Sequence, residues 1–169
     1  RGGHVSVPME RLEEEARKLA AGGVKELIVI AQDTTGYGTD LYGAPRLAKL
    51  LKRLCEIPKL RWVRLHYGYP EGMTEELLEV MAAQEKICHY FDIPIQHCSD
   101  AVLKRMGRRC TRAELVRLFA AIRQKMPDAV LRTSLIAGFP GETEEQFEEL
   151  CQFVKDMRFD RLGCFAYSP

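Results

Sequence analysis

No stretch of the 169 residues stays apolar for the roughly 18–20 residues that a bilayer-spanning helix requires, and no signal-peptide pattern opens the chain. A surplus of either charge is missing too: 25 Lys and Arg stand against 24 Asp and Glu, a net charge of +1. That balance removes the electrostatic reason to propose binding to nucleic acid or to an anionic membrane. Closely spaced cysteines are lacking as well. The six lie at 55, 88, 98, 110, 151 and 164, so neither CxxC nor CxxxCxxC occurs. Nothing resembles a zinc or cluster ligand set, and no metal site is expected from these cysteines. Cys55 falls on a helix face with Leu50, Leu51 and Leu54, and Cys151 on one with Phe147, Leu150 and Val154. Cysteine behaves there as a small hydrophobe, so buried free thiols in a reducing compartment, the cytoplasm, are expected. Linkers, low-complexity segments and repeats are absent. The chain opens on Arg1-Gly2-Gly3 and not on Met, which suggests a processed chain or an excised piece.

What is present is an ordinary globular composition, 46% hydrophobic and 29% charged, in a length suited to one domain. The hydrophobic period switches between about 3.6 and short apolar runs, the pattern of alternating helix and strand. Pro8 stands at a helix start, with Met9, Leu12, Ala16, Leu19 and Ala20 as its apolar stripe and Gly22-Gly23 as its end. Strands are expected at residues 24–31, 60–65, 90–95, 129–136 and 160–165. Residues 32–43 read as a polar loop. Helices are expected after Pro45, Thr74, Ser99, Thr111 and Thr143, Thr111 with Glu114 forming a capping box. Short connections between such elements imply right-handed βαβ units and a parallel sheet. The order begins on a helix, so a first strand is expected to be missing.

In such sheets ligands bind on the loops that follow the strands. Those loops hold Gln32-Asp33-Thr34-Thr35, His66-Tyr67, Gln96-His97, residues 134–142 and Ala166-Tyr167. The loop Gly138-Phe139-Pro140-Gly141-Glu142 permits close backbone approach before a capped helix, either as a phosphate or carboxylate site or as a tight turn. His66 and His97 are open to acid–base or ligand roles. Asp33 reads as a general base or as a turn former. The basic run of Lys104, Arg105, Arg108, Arg109 and Arg112 is either a solvated face or the source of one carboxylate clamp.

Three segments together carry a resemblance: IAQDTTGYGTDLYG (30–43), DIPIQHCSDAVLKRMGRR (92–109) and RTSLIAGFPGETEEQFEEL (132–150). In order and spacing the chain resembles the radical S-adenosylmethionine (SAM) domain of methylthiotransferases over its whole length, 1–169. The first segment is similar to the RimO type, which modifies an aspartate of a small-subunit ribosomal protein. The resemblance implies a partial (β/α)6 TIM-like barrel lacking its first strand, and SAM and [4Fe–4S] clusters as cofactors. The cluster-binding CxxxCxxC, a further N-terminal domain and a TRAM domain would lie outside this chain. By resemblance, Gln32 and Asp33 (with Thr34) stand where the methionine amino group is met, Gln96 near the ribose, and Arg109 at the methionine carboxylate. Ser134, Ile136 and Gly138, followed by Gly141 and Glu142, resemble the GxIxGxxE segment against adenine, and Phe165 and Tyr167 would close that side. No catalytic residue is assigned.

Expected partners are the ribosomal protein and a reductant for the cluster, with no membrane and no direct sign of nucleic acid. With its open barrel edge the piece is expected to dimerise or distort. By itself the chain is expected to lack radical activity and to bind SAM weakly at most. Three competing functions are a tRNA adenosine methylthiotransferase, a stand-alone α/β enzyme acting on a phosphorylated metabolite, and a non-catalytic binding scaffold.

Overall fold

A computed structural model describes Gly3 and residues 5–168, so the outermost positions of the expected 1–169 domain lie outside it. Helices alternate with parallel strands in two compact units. One runs to Gly68 and resumes over Gly72–His89; the other holds Tyr69–Glu71 and the chain from Tyr90 onward.

In the first unit, β1 (Glu26–Val29) pairs in parallel with β2 (Trp62–Leu65), Glu26 beside Trp62 and Val29 beside Leu65. Helix α1 (Met9–Ala21) begins after Pro8, whose φ of −53° is already helical, and buries Met9, Ala16 and Ala20. A single helical turn, α2 (Thr39–Tyr42), sits within the loop expected over 32–43. Helix α3 (Leu47–Cys55) buries Leu47, Leu50, Leu51 and Leu54. Helix α4 (Glu75–Ala83) follows Thr74, whose hydroxyl accepts from the Leu77 amide. The strand expected over 24–31 shortens to β1. Ile28 and Ile30 are 54% and 60% exposed, so the apolar run has a face that no described residue covers.

In the second unit, β3 (Tyr90–Asp92), β4 (Val130–Ala137) and β5 (Arg161–Ala166) form a parallel sheet in that order. Helices α5 (Asp100–Arg105), α6 (Arg112–Lys125) and α7 (Glu144–Met157) make the connections. Thr111 with Glu114, and Thr143 with Gln146, form complete capping boxes, each satisfying two otherwise orphaned N–H groups. Leu131, Thr133 and Leu135 of β4 are buried, as are Leu115, Phe119, Ile122, Leu150 and Phe153 of the helices.

Two expectations need correction. The strand expected over 90–95 stops at Asp92: the Ile93 amide still donates to the Arg132 carbonyl, but the next pairing with β4 is made by Gln96 and not by Ile95, one residue out of alternation. The buried Thr133 hydroxyl bridges the gap instead, donating to the Ile93 carbonyl at 2.8 Å and accepting from the Ile95 amide at 3.3 Å. Cys151 is exposed, as is Cys164. Helix α7 turns Leu150 and Phe153 inward, which leaves Phe147 and Cys151, one turn apart, on its open flank.

Candidate functional site

The residues anticipated as a site fall in both units. In the first, Gln32 is exposed and Asp33 half-buried. Asp33 Oδ1 accepts from the Thr35 amide at 2.9 Å and the Thr35 hydroxyl at 2.6 Å, which closes an Asx turn. The Thr34 amide donates to the Tyr67 carbonyl at 3.0 Å, and its hydroxyl lies 3.0 Å from the carbonyls of both His66 and Tyr67. The loops after β1 and β2 are thereby tied to each other.

The remainder of that loop grips the strap before α1. Tyr37 donates its phenol to the Val7 carbonyl (2.8 Å), and the Gly38 amide donates to Ser6 Oγ (2.9 Å). The Ser6 amide donates to Asp40 Oδ2 (2.7 Å), and the Met9 amide to the Tyr42 hydroxyl (2.9 Å). Burial first, and the neighbouring Tyr42 phenol second, push the Tyr37 phenol up to about 12, so it stays protonated and donating. Nothing in the pattern QDTT-x-YG-x-DLYG pointed to this strap. An apolar cavity of about 400 Å³ opens along β1, lined by Val5, Leu12, Leu19, Ile28, Ile30 and Leu47.

In the second unit the alternation of β4 sorts the candidates by face. Ser134 and Ile136 are half-buried and share a face, and the parallel register sets Ser134 beside Gly163 and Ile136 beside Phe165. The Phe165 ring is 61% exposed and folds back over Gly163, where an added Cβ would meet it at 3.3 Å. Gln96 bridges to Leu135, its amide donating to the Ser134 carbonyl (2.9 Å) and its carbonyl accepting from Ile136 (2.8 Å). Its φ of +70° is a left-handed conformation rare outside glycine.

Beyond β4 the chain turns through Gly138 (φ +77°) and Gly141 (φ +80°), and no atom occupies the space beside Gly138 where a side chain would stand. Glu142 Oε2 accepts from the Phe139 amide (2.9 Å) while the Glu142 amide donates to the Phe139 carbonyl (2.8 Å). Arg105 braces the turn from outside, donating to the Gly141 carbonyl at 2.9 Å. Tyr167 continues β5, its amide on the Ala137 carbonyl and its ring edge-on to Phe139 at 5.3 Å.

His97 is fully buried. Its Nδ1 accepts from the Ser99 amide (3.0 Å), and Nε2 faces Glu142 Oε1 at 3.5 Å. Burial lowers its pKa, the larger effect, and the Glu142 carboxylate opposes that shift. Arg109 lies in a cavity of about 300 Å³ with Glu71, Cys110 and Glu114, its amide donating to Glu71 Oε1 at 3.3 Å. The structure thus gathers Gln96, Ser134, Ile136, Gly138, Phe165 and Tyr167 at adjoining strand ends. It gives Arg109 carboxylate neighbours of its own.

Among the described residues no group of three or more His, Cys, Asp or Glu could hold a metal ion, and all six cysteines are free. An iron–sulfur cluster does not fit these residues. The second unit's strand ends carry groups of the kind that could hold a nucleoside: an open space beside a left-handed glycine, an exposed aromatic ring and half-buried polar groups. No helix of the described residues is long and apolar enough to cross a membrane.

A family model described as the radical SAM superfamily matches residues 1–154. A protein of Lachnoclostridium phytofermentans named ribosomal protein uS12 methylthiotransferase RimO is 60% identical over 99% of this chain; the chain spans 38% of that relative's length. Two solved structures share the fold. Streptococcus suis SuiB, bound to S-adenosylmethionine, superposes with a TM-score of 0.66 at 18% identity, covering 100% of this chain and 36% of SuiB. The methyltransferase TsrM of Kitasatospora setae, with cobalamin and a [4Fe–4S] cluster bound, gives 0.72 at 16%, covering 94% of this chain and 31% of TsrM. Likeness at these identities establishes the α/β fold anticipated from the strand and helix order.

Proposed function

Since the chain belongs to the radical SAM superfamily, we propose that it is the SAM-binding core of a methylthiotransferase acting on an aspartate of ribosomal protein uS12. The observation that carries this reading is the 60% identity to the uS12 enzyme across 99% of the chain. The site geometry supports the SAM part of it. Ser134 and Ile136 line one face of β4 with Phe165 beside Ile136, Gly138 opens the turn that follows, Tyr167 packs on Phe139, and Gln96 bridges to Leu135 at the neighbouring strand end. These groups would bind the nucleoside by stacking, apolar contact and hydrogen bonds to its edges. Gln32 and Asp33 are proposed for the methionine amino end. Arg109, exposed, is proposed for the carboxylate end, where a guanidinium can clamp two oxygens at once.

A [4Fe–4S] cluster would supply the one-electron chemistry that cleaves SAM, and we place its thiolates among residues other than those described. Among the described residues no strand pairs with the outer edge of β1, and that edge, with Ile28 and Ile30 exposed beside the apolar cavity, is where a further strand of a longer protein would pair. Expressed without that strand, the chain is expected to dimerise through this edge, which sedimentation would detect. The wider reading includes a reductant as partner and a cytoplasmic setting.

The test is mass spectrometry of uS12 and of tRNA after incubation with the full-length protein, SAM and a reductant. Methylthiolated uS12 aspartate is the expected product. Modified tRNA adenosine with unmodified uS12 would overturn the assignment.

A further inference from the structure

We propose that His97 is a positioning residue for the nucleoside site, holding the Gly138–Glu142 turn through Glu142 while fixing Gln96 beside it. The inference rests on the SAM reading above and deepens it.

The His97 imidazole is held as one tautomer. Nδ1 accepts the Ser99 amide, so in the neutral ring the proton sits on Nε2. That N–H faces Glu142 Oε1 at 3.5 Å, and neither atom has a hydrogen-bond partner of good geometry. The His97 side chain is 0% exposed and that of Glu142 4%, so bulk water does not reach either. Two buried polar atoms that face only each other form a contact with slack, which a small movement of the turn closes.

Glu142 is the pin of the turn: the carboxylate receives the Phe139 amide, and the Glu142 amide returns to the Phe139 carbonyl. Between them the chain passes through the left-handed Gly141, after Gly138, also left-handed. On the other side, Gln96 holds its left-handed φ through two bonds to β4 and through the buried ring that follows it in sequence. One imidazole therefore connects both walls of the proposed nucleoside site. When the nucleoside presses on the turn, the Nε2···Oε1 contact shortens into a hydrogen bond. Arg105 braces the same turn from its exposed side, through Gly141 and Gln146.

The experiment compares SAM dissociation constants of the full-length protein with those of His97→Ala, His97→Gln and Glu142→Gln, alongside their melting temperatures. His97→Ala is expected to weaken SAM about tenfold, the loss of one good hydrogen bond. His97→Gln, whose amide N–H can reach the Nε2 position, recovers most of that loss. Glu142→Gln is the same size but sets two donors against each other, at His97 or at Phe139, and weakens SAM as His97→Ala does. A packing role would instead leave Glu142→Gln unchanged and make Gln and Ala at 97 equivalent; either result overturns the proposal. If the unaltered protein binds no SAM, the SAM reading itself falls. The pair is then judged by hydrogen exchange at the Phe139 amide, which accelerates at least about tenfold in His97→Ala if the ring holds the turn. Unchanged exchange overturns it.

Discussion

Replacing Thr133 by valine isolates one hydroxyl group. The two side chains have nearly the same shape, and valine is at least as favourable in a strand, so hydrophobicity and propensity both predict a neutral or stabilising change. The structure predicts the opposite. The Thr133 hydroxyl is the partner of the Ile93 carbonyl and the Ile95 amide on either side of Pro94, and the residue is fully buried. Valine leaves both backbone groups without a partner and away from water, at about 1–3 kcal/mol each. Taking the pair at about 3 kcal/mol, and about 2–4 °C per kcal/mol for a chain of this size, the melting temperature should fall by about 6–12 °C. Thr133→Ser keeps the hydroxyl and gives up one methyl, about 1 kcal/mol. Urea denaturation with all three proteins, and hydrogen exchange at the Ile95 amide, read the difference. The expected order of stability is threonine, serine, valine. A valine variant as stable as the parent, or more stable than the serine variant, would refute the bridging role.

Burial raises the Cys98 thiol to about 12 and that of Cys110 to about 11, so at neutral pH a thiol reagent should label exposed Cys151 and Cys164 first. Peptide mapping that finds Cys98 labelled early in the folded protein would contradict this. His97 is held neutral in the fold by burial, whereas the unfolded chain protonates it near its ordinary value of 6.5. Its contribution to stability is therefore present above about pH 6.5 and lost as the pH falls through the lower folded value. Denaturation midpoints between pH 7 and pH 5 should decline less steeply in His97→Gln; parallel slopes would argue against it. Gly163→Ala presses on the Phe165 ring at 3.3 Å, and should weaken SAM several-fold while shifting stability by less than about 1 kcal/mol. Unaltered SAM affinity would remove Phe165 from the proposed site.

Element order and type were legible because amphipathic stripes and caps are local signals. Pro8, Thr74, Thr111 and Thr143 all stand at observed helix starts. Strand ends were less legible, since pairing depends on a neighbour elsewhere in the chain: the backbone pairing lapses between Ile93 and Gln96, and only the fold brings Thr133 to that gap. The phase of α7 is obscured in the sequence for a related reason. Phe147, Leu150, Cys151 and Val154 make an acceptable stripe, but Leu150 and Phe153 are the residues that face the core. At the site, the glycine turn and the strand-end positions could be read directly. The His97–Glu142 pair could not, because 45 positions separate two residues that only the parallel register of β3 and β4 brings together.

The clasp between the 36–42 loop and the strap divides information unevenly between its halves. The loop contributes three side chains, Tyr37, Asp40 and Tyr42, and the Gly38 amide, whereas the strap and the first residue of α1 are held at the Val7 carbonyl and the Ser6 and Met9 amides, plus the Ser6 hydroxyl. Main-chain atoms are common to nearly every amino acid, so the grip hardly depends on what stands at position 7. A saturation library would accordingly record near-indifference at Val7, partial tolerance at Ser6 and steep losses at Tyr37 and Asp40. The strap is a handle of generic shape; the vocabulary that recognises it is written in the loop.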